Sequence, residues 1–122
     1  MKKILVVDDN IVMFRLFQIQ VQRSGHEGFF FQDGTTALEQ FENIKPDLAV
    51  LDYHLPDIDG IELYKKIKEL PGGKDIKVIF VTGSADQDKI DEIKKVGVKA
   101  YLSKPFSPKK LQTMMNDLLA EK

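Results

Sequence analysis

Three short stretches of this chain are apolar at every position: "ILVV" at 4–7, "LAVL" at 48–51 and "VIFV" at 78–81. A strand with one face in water alternates apolar and polar residues. An uninterrupted run of this length instead predicts a parallel strand covered on both faces. Strands are predicted at Lys3–Val7, Gly28–Phe31, Leu48–Leu51, Lys77–Val81 and Ala100–Leu102. Helix-period segments separate them. Asn10–Ser24 ends before Gly25, Thr35–Glu42 turns Ala37, Leu38 and Phe41 inward, Gly60–Leu70 stops at "PGG", and Asp86–Val96 stops at Gly97. A last helix starts with Ser107 as its cap and Pro108 in the first turn. Its Leu111, Met114, Met115 and Leu118 follow i, i+3, i+4, i+7 spacing, which makes the methionines core filling. Strict alternation of five strands and five helices predicts an α/β fold with an open, doubly wound parallel sheet. Its expected order is 2-1-3-4-5, with ligands at the carboxyl ends of strands 1 and 3.

The chain has 122 residues, enough for one domain that buries a core without staples. No linker, repeat or low-complexity tract divides it, so 1–122 is expected to be a single domain with no second domain. It has no cysteine, which removes disulfides, thiolate metal sites and cysteine nucleophiles. Eighteen basic against nineteen acidic residues leave a formal charge of −1, without the basic footprint of a nucleic-acid binder. The start, "MKKILVVDDN", lacks the long apolar region and cleavage site of a signal peptide, and no run approaches a membrane span. A cytoplasmic protein is expected, with neither nucleic acid nor membrane as partner.

Chemistry gathers at the residues that close the strands. Strand 1 ends in Asp8-Asp9, strand 3 in Asp52, strand 4 in Thr82-Gly83-Ser84 and strand 5 in Ser103-Lys104-Pro105. The fold brings all four to one rim. Carboxylates packed together repel unless a cation joins them. Mg²⁺ takes one or two carboxylates, keeps several waters and favours a phosphate oxygen as a further ligand. With Lys104 as a second positive charge and Thr82 as a donor, such a pocket suits a phosphoryl group. Asp52 is then a candidate nucleophile, because an ionised carboxylate needs no general base to attack phosphorus.

Two other classes share this topology. A flavin-binding electron carrier needs a phosphate-cradling Ser/Thr/Gly loop after strand 1, where this chain has Asp8-Asp9-Asn10. A phosphohydrolase with an aspartyl nucleophile wants a second aspartate two residues on, where this chain has His54.

"VDD" at 7–9, "LDYHLPDIDG" at 51–60, "VTGS" at 81–84 and "SKPFSP" at 103–108 stand together in register. In this the chain resembles, over nearly its whole length, the receiver domain of two-component response regulators, of the stand-alone chemotaxis type. That family is flavodoxin-like with strand order 2-1-3-4-5, so the expected order is not independent of the resemblance. The resemblance implies Asp52 as phosphoacceptor, with Mg²⁺ or Mn²⁺ as cofactor. Asp9 and Asp52 would touch the metal directly, Asp8 mainly through water, and the His54 backbone carbonyl would be a further ligand. Thr82 and Lys104 would bind the phosphoryl oxygens. A cis Lys104–Pro105 peptide would aim the lysine, and Gly60 would let the chain turn into the third helix. Thr82 and Tyr101 would form the switch, while His54 and Ser84 would tune dephosphorylation. The implied donor is the phosphohistidine of a sensor histidine kinase or of a histidine phosphotransfer protein. The implied output is a protein target meeting the fourth helix, fifth strand and fifth helix, with no output domain. The implied chemistry is acceptance and self-hydrolysis of the phosphoryl group, without turnover of a diffusible substrate.

Each residue also has a plainer reading. Asp9 could only cap the first helix, and Asp8 could be a solvated neighbour. Asp59 is expected to cap the third helix, and Asp57 to be a turn residue without a metal role. His54 is either an exposed loop side chain or an imidazole governing water access. His26 is assigned nothing. Tyr101, by alternation, should point away from the side that takes Ala100 and Leu102. In the first helix Met13, Leu16, Phe17 and Val21 suit a core stripe, whereas Ile11, Phe14 and Ile19 fall outside it. That leaves either a wide buried face or a docking surface for a helical partner.

Overall fold

In the computed structural model, which describes residues 2–83, 87–104 and 106–120, every continuous apolar run is a strand. The elements are β1 (Lys3–Val7), α1 (Ile11–Arg23), β2 (Glu27–Phe31), α2 (Gly34–Ile44), β3 (Leu48–Asp52), α3 (Gly60–Glu69), β4 (Lys77–Thr82), α4 (Gln87–Lys95), β5 (Tyr101–Ser103) and α5 (Pro108–Ala120). The strands form one parallel sheet in the order β2-β1-β3-β4-β5. From β1 the chain runs outward to β2, then crosses back so that β3 lies on the other side of β1. The topological switch point therefore lies at the exits of β1 and β3.

Alternation along each run explains why none of its residues is polar. Leu5, Val7, Ala49, Leu51, Val78 and Phe80 face one layer, with Ala37, Phe41, Ile61, Leu63, Ile67 and Ile93 of α2, α3 and α4. Ile4, Val6, Leu48, Val50, Ile79 and Val81 face the other, with Phe17, Val21, Leu111 and Met115 of α1 and α5. Neighbouring residues thus enter opposite cores, each worth about 1.5–3 kcal/mol per large side chain fully buried. In α5, Leu111 and Met115 are fully buried while Met114 and Leu118 pack at the margin. Across the layer Gln112 Nε2 donates to the backbone oxygen of buried Gln20 at 2.6 Å and to its Oε1 at 2.9 Å.

The helix ends follow side-chain chemistry. Asn10 caps α1, accepting from the N–H groups of Val12 and Met13 at 3.0 and 3.2 Å. Asp33 caps α2, and α2 outlasts its expected end at Glu42, running to Ile44 until Lys45 adopts a left-handed conformation before Pro46. Asp59 caps α3 as expected, accepting from Glu62 N–H at 2.8 Å, and Ser107 caps α5 through Lys110 N–H at 3.0 Å. No helix among the described residues is long and apolar enough to cross a membrane.

Gly60 stands where the chain turns into α3, and it does so without a positive φ. A Cβ there would lie 2.5 Å from the Asp52 backbone oxygen and 2.9 Å from Tyr53 Cα. Glycine is needed because the start of α3 lies against the end of β3, with Gly60 N–H donating to the Tyr53 carbonyl at 2.8 Å. Gly60→Ala is expected to cost about 1–3 kcal/mol, as overpacking against backbone does. Urea denaturation measures it, and a variant as stable as wild type would show that α3 can simply back away.

Candidate functional site

Asp52 is the last residue of β3 and still pairs with Val81 of β4. Its carboxylate is therefore held by the sheet rather than by a loop, and only 4% of the residue is exposed. Asp8 and Asp9 leave β1 beside it. Asp8 N–H donates to Phe31 O at 3.0 Å, extending the β1–β2 ladder. Neither plain reading of the pair holds. Asn10, not Asp9, caps α1, and Asp8 is 1% exposed rather than solvated, with its Oδ1 accepting from Asn10 N–H at 2.9 Å. One carboxylate oxygen each from Asp8, Asp9 and Asp52 lies within 4.8 Å of the others.

Lys104 arrives from β5. Its backbone N–H donates to Thr82 O at 2.7 Å, which fixes the residue beside the end of β4. The Lys104 ammonium is 3.1 Å from Asp8 Oδ2 and 3.3 Å from Asp52 Oδ2. The contact to Asp52 is an aligned hydrogen bond, whereas Asp8 Oδ2, though buried, receives none. Thr82 is fully buried at the end of β4, opposite Ser103.

Burial, and then the charge of Asp8, push the Asp52 carboxyl up from 3.8 to about 6; the Lys104 ammonium and the His54 N–H, 3.1 Å from Asp52 Oδ1, pull the other way. One ammonium, paired with Asp8 and Asp52, stands against three carboxylates and leaves the cluster with surplus negative charge. That surplus, the unaligned buried Asp8 Oδ2 and an all-oxygen donor set fit a hard divalent cation.

The other singled-out residues divide. Tyr101 is half-buried and packs with the α2–α4 core, while Leu102 and Ala100 pack with the opposite one, as alternation requires. The His54 side chain is exposed, with Lys89 Nζ 2.7 Å from its Nε2. Ser84 and Pro105 lie outside the described residues, and with them the second tuning position and the cis peptide. In α1, Phe17 and Val21 are buried, and Phe14 is half-buried with its ring tilted 59° against that of Phe30, 5.7 Å between centres. The exposed apolar residues are Ile11, Ile19 and Val12, and Val12, 71% exposed, is one that sequence reasoning passed over.

Three contacts around Asp52 were not foreseen. Asp57 is more than a turn residue: it accepts from Gly34 N–H at 3.0 Å, Thr35 N–H at 2.8 Å and the Thr35 hydroxyl. The Thr35 hydroxyl, with those amides, holds its carboxyl down to about 2. On the other side Tyr53 OH donates to Glu92 Oε2 of α4 at 2.5 Å, and Lys89 meets His54. No local pattern signals pairs so distant in sequence.

Comparison with known proteins agrees with this geometry. Residues 4–116 match the response regulator receiver domain family. The chain is 36% identical over 122 residues to the alkaline phosphatase synthesis transcriptional regulatory protein PhoP of Bacillus subtilis, covering 97% of this chain but only 48% of that protein. It therefore spans about half the length of that relative. It is 33% identical over 118 residues to the polar-differentiation response regulator DivK of Brucella anthropi, covering 96% of each. Among solved structures, the receiver domain of sensor histidine kinase PA1611 from Pseudomonas aeruginosa superposes with a TM-score of 0.89 at 26% identity, covering 98% of each chain, and holds a magnesium ion in its active-site cleft. The fold and the acidic rim are those of a two-component signalling receiver. This chain belongs to the response regulator receiver domain family.

Proposed function

We propose that this protein accepts a phosphoryl group from a phosphohistidine onto Asp52 with Mg²⁺ present, and that the modification switches a protein-binding face. The observation that carries this reading is a buried carboxylate at a strand end, with Asp8 and Asp9 within 4.8 Å and the ammonium of Lys104 at 3.3 Å. Asp8, Asp9, Asp52 and the His54 backbone carbonyl would hold Mg²⁺ or Mn²⁺. When bound, the cation would neutralise carboxylate charge and take up charge on phosphoryl oxygens.

The remaining work falls to the chain. One Asp52 oxygen attacks phosphorus, and the phosphohistidine nitrogen leaves with the bonding pair. Lys104 and the Thr82 hydroxyl then bind the transferred oxygens, and Tyr101 follows Thr82 inward. That changes the surface made by α4, β5 and α5. Phosphorylation shifts a population only by contacts that favour one state, and these are the contacts. Water later returns Asp52 to the free carboxylate, so the protein is an acceptor that resets itself. Exposed Ile11 and Val12, two and three residues beyond Asp9, suit docking of the donor's helix beside the rim. The cytoplasm is the compartment this reading requires. The two relatives differ in named role, one transcriptional and one in polar differentiation. The target of this protein is thus set by its own surface.

The test is labelling by acetyl phosphate. Label should appear only with Mg²⁺, be blocked by EDTA and be released by hydroxylamine, as an acyl phosphate is. Because the metal competes with a proton at Asp52, more Mg²⁺ should be needed as the pH falls below about 6. Metal-independent labelling, or label stable to hydroxylamine, would overturn the reading.

A further inference from the structure

The two residues that follow the acceptor are both gripped by α4. Tyr53 is anchored at its backbone, donating to Val81 O and accepting from Gly60 N–H, each at 2.8 Å, and its hydroxyl reaches Glu92 at 2.5 Å. Lys89 Nζ is 2.7 Å from His54 Nε2 and 5.7 Å from the centre of the Tyr53 ring. The two rings meet edge-on, 5.0 Å apart at 72°. Lys89 and Glu92 stand three residues apart, so they share one face of α4. An ammonium only donates, so His54 must accept at Nε2, which places the ring proton on Nδ1. The His54 backbone N–H in turn donates to Asp52 Oδ1 at 3.1 Å. An unbroken set of contacts therefore runs from α4 to the acceptor carboxylate.

We propose that Lys89 and Glu92 are positioning residues that hold His54 and Tyr53 at the mouth of the site, and so set the lifetime of the phosphorylated state. The inference rests on Asp52 being the phosphoacceptor. In the resetting step a water oxygen bonds to phosphorus. The P–O bond to Asp52 breaks, its electron pair returns to the carboxylate, a water proton passes to solvent, and inorganic phosphate leaves. Water must enter past the exposed imidazole. Clamped by Lys89, the ring screens that approach; released, it swings aside and hydrolysis quickens. A partner that draws α4 away from His54 therefore shortens the phosphorylated state.

The experiment labels the whole chain with acetyl phosphate and Mg²⁺, removes the donor by desalting, and follows the phosphoprotein that remains. Lys89→Met should decay about three- to tenfold faster, the scale of one lost polar contact acting on a barrier. Glu92→Gln should move in the same direction by less, and Lys89→Arg should restore the wild-type rate. In a His54→Ala background Lys89→Met should add nothing, a non-additivity that mere loosening of α4 would not produce. Unchanged or slower decay in Lys89→Met, or the same acceleration without His54, overturns the proposal while leaving Asp52 as acceptor. A wild-type chain that takes no label overturns both.

Discussion

Asp52→Asn should take no label from acetyl phosphate and should nevertheless be more stable than the wild type. The amide is not a nucleophile towards phosphorus, so the loss is complete. The gain in stability comes from the same carboxylate. An acid raised from 3.8 to about 6 in the folded state costs nothing below about pH 4, where it is protonated folded or unfolded. The cost accumulates between about pH 4 and about pH 6 and is full at neutrality. The whole shift would amount to about 3 kcal/mol. Water at the site mouth lowers that, and about 1–2 kcal/mol is expected at neutral pH. Asn preserves the shape and can still accept from His54 N–H, while Lys104 keeps Asp8 at 3.1 Å. Thermal melts without metal at pH 5 and pH 7.5 measure the effect, and the advantage should be larger at the higher pH. Labelling at the wild-type level would dismiss Asp52 as acceptor. A variant less stable than wild type at both pH values would dismiss the electrostatic account.

Lys104→Met should act in the opposite sense. It removes the ammonium that two buried carboxylates share and leaves both charges behind. Breaking a buried pair costs about 3–5 kcal/mol. Here the lysine is 17% exposed, and protonation of Asp52 relieves part of the repulsion. A loss of about 2–4 kcal/mol at neutral pH is expected without metal. Two recoveries identify the cause. Saturating Mg²⁺ should return most of the stability by replacing the lost charge, and adding Asp52→Asn should do so by removing a carboxylate. The double variant is therefore strongly non-additive. Urea denaturation with and without Mg²⁺ decides it. A loss that neither metal nor Asp52→Asn repairs would mean that the Lys104 stem, not its charge, carries the effect.

Much of this site was legible in the primary structure because its residues stand where strands stop. Asp8, Asp52, Thr82 and Lys104 each follow or close an apolar run, and a doubly wound sheet sends such positions to one rim. The small differences have a physical cause. β3 and β4 run one residue beyond their apolar stretches because the ladder still pairs Asp52 with Val81 and Thr82 with Ser103. β5 is displaced to Tyr101–Ser103 for the same reason. Hydropathy locates where an element is buried, whereas backbone pairing decides where it ends.

Local pattern and the alternation of apolar runs thus determined the layers and the gathering of three carboxylates and a lysine. They could not determine what surrounds Asp52. Asp57 reaches Thr35, Lys89 reaches His54, and Glu92 reaches Tyr53, across separations of 22, 35 and 39 residues. A charged residue on an exposed helix face carries the same local signature whether it meets water or the loop opposite. Its partner is chosen by the packing of α2 and α4 against the sheet, and that packing exists only in the folded chain.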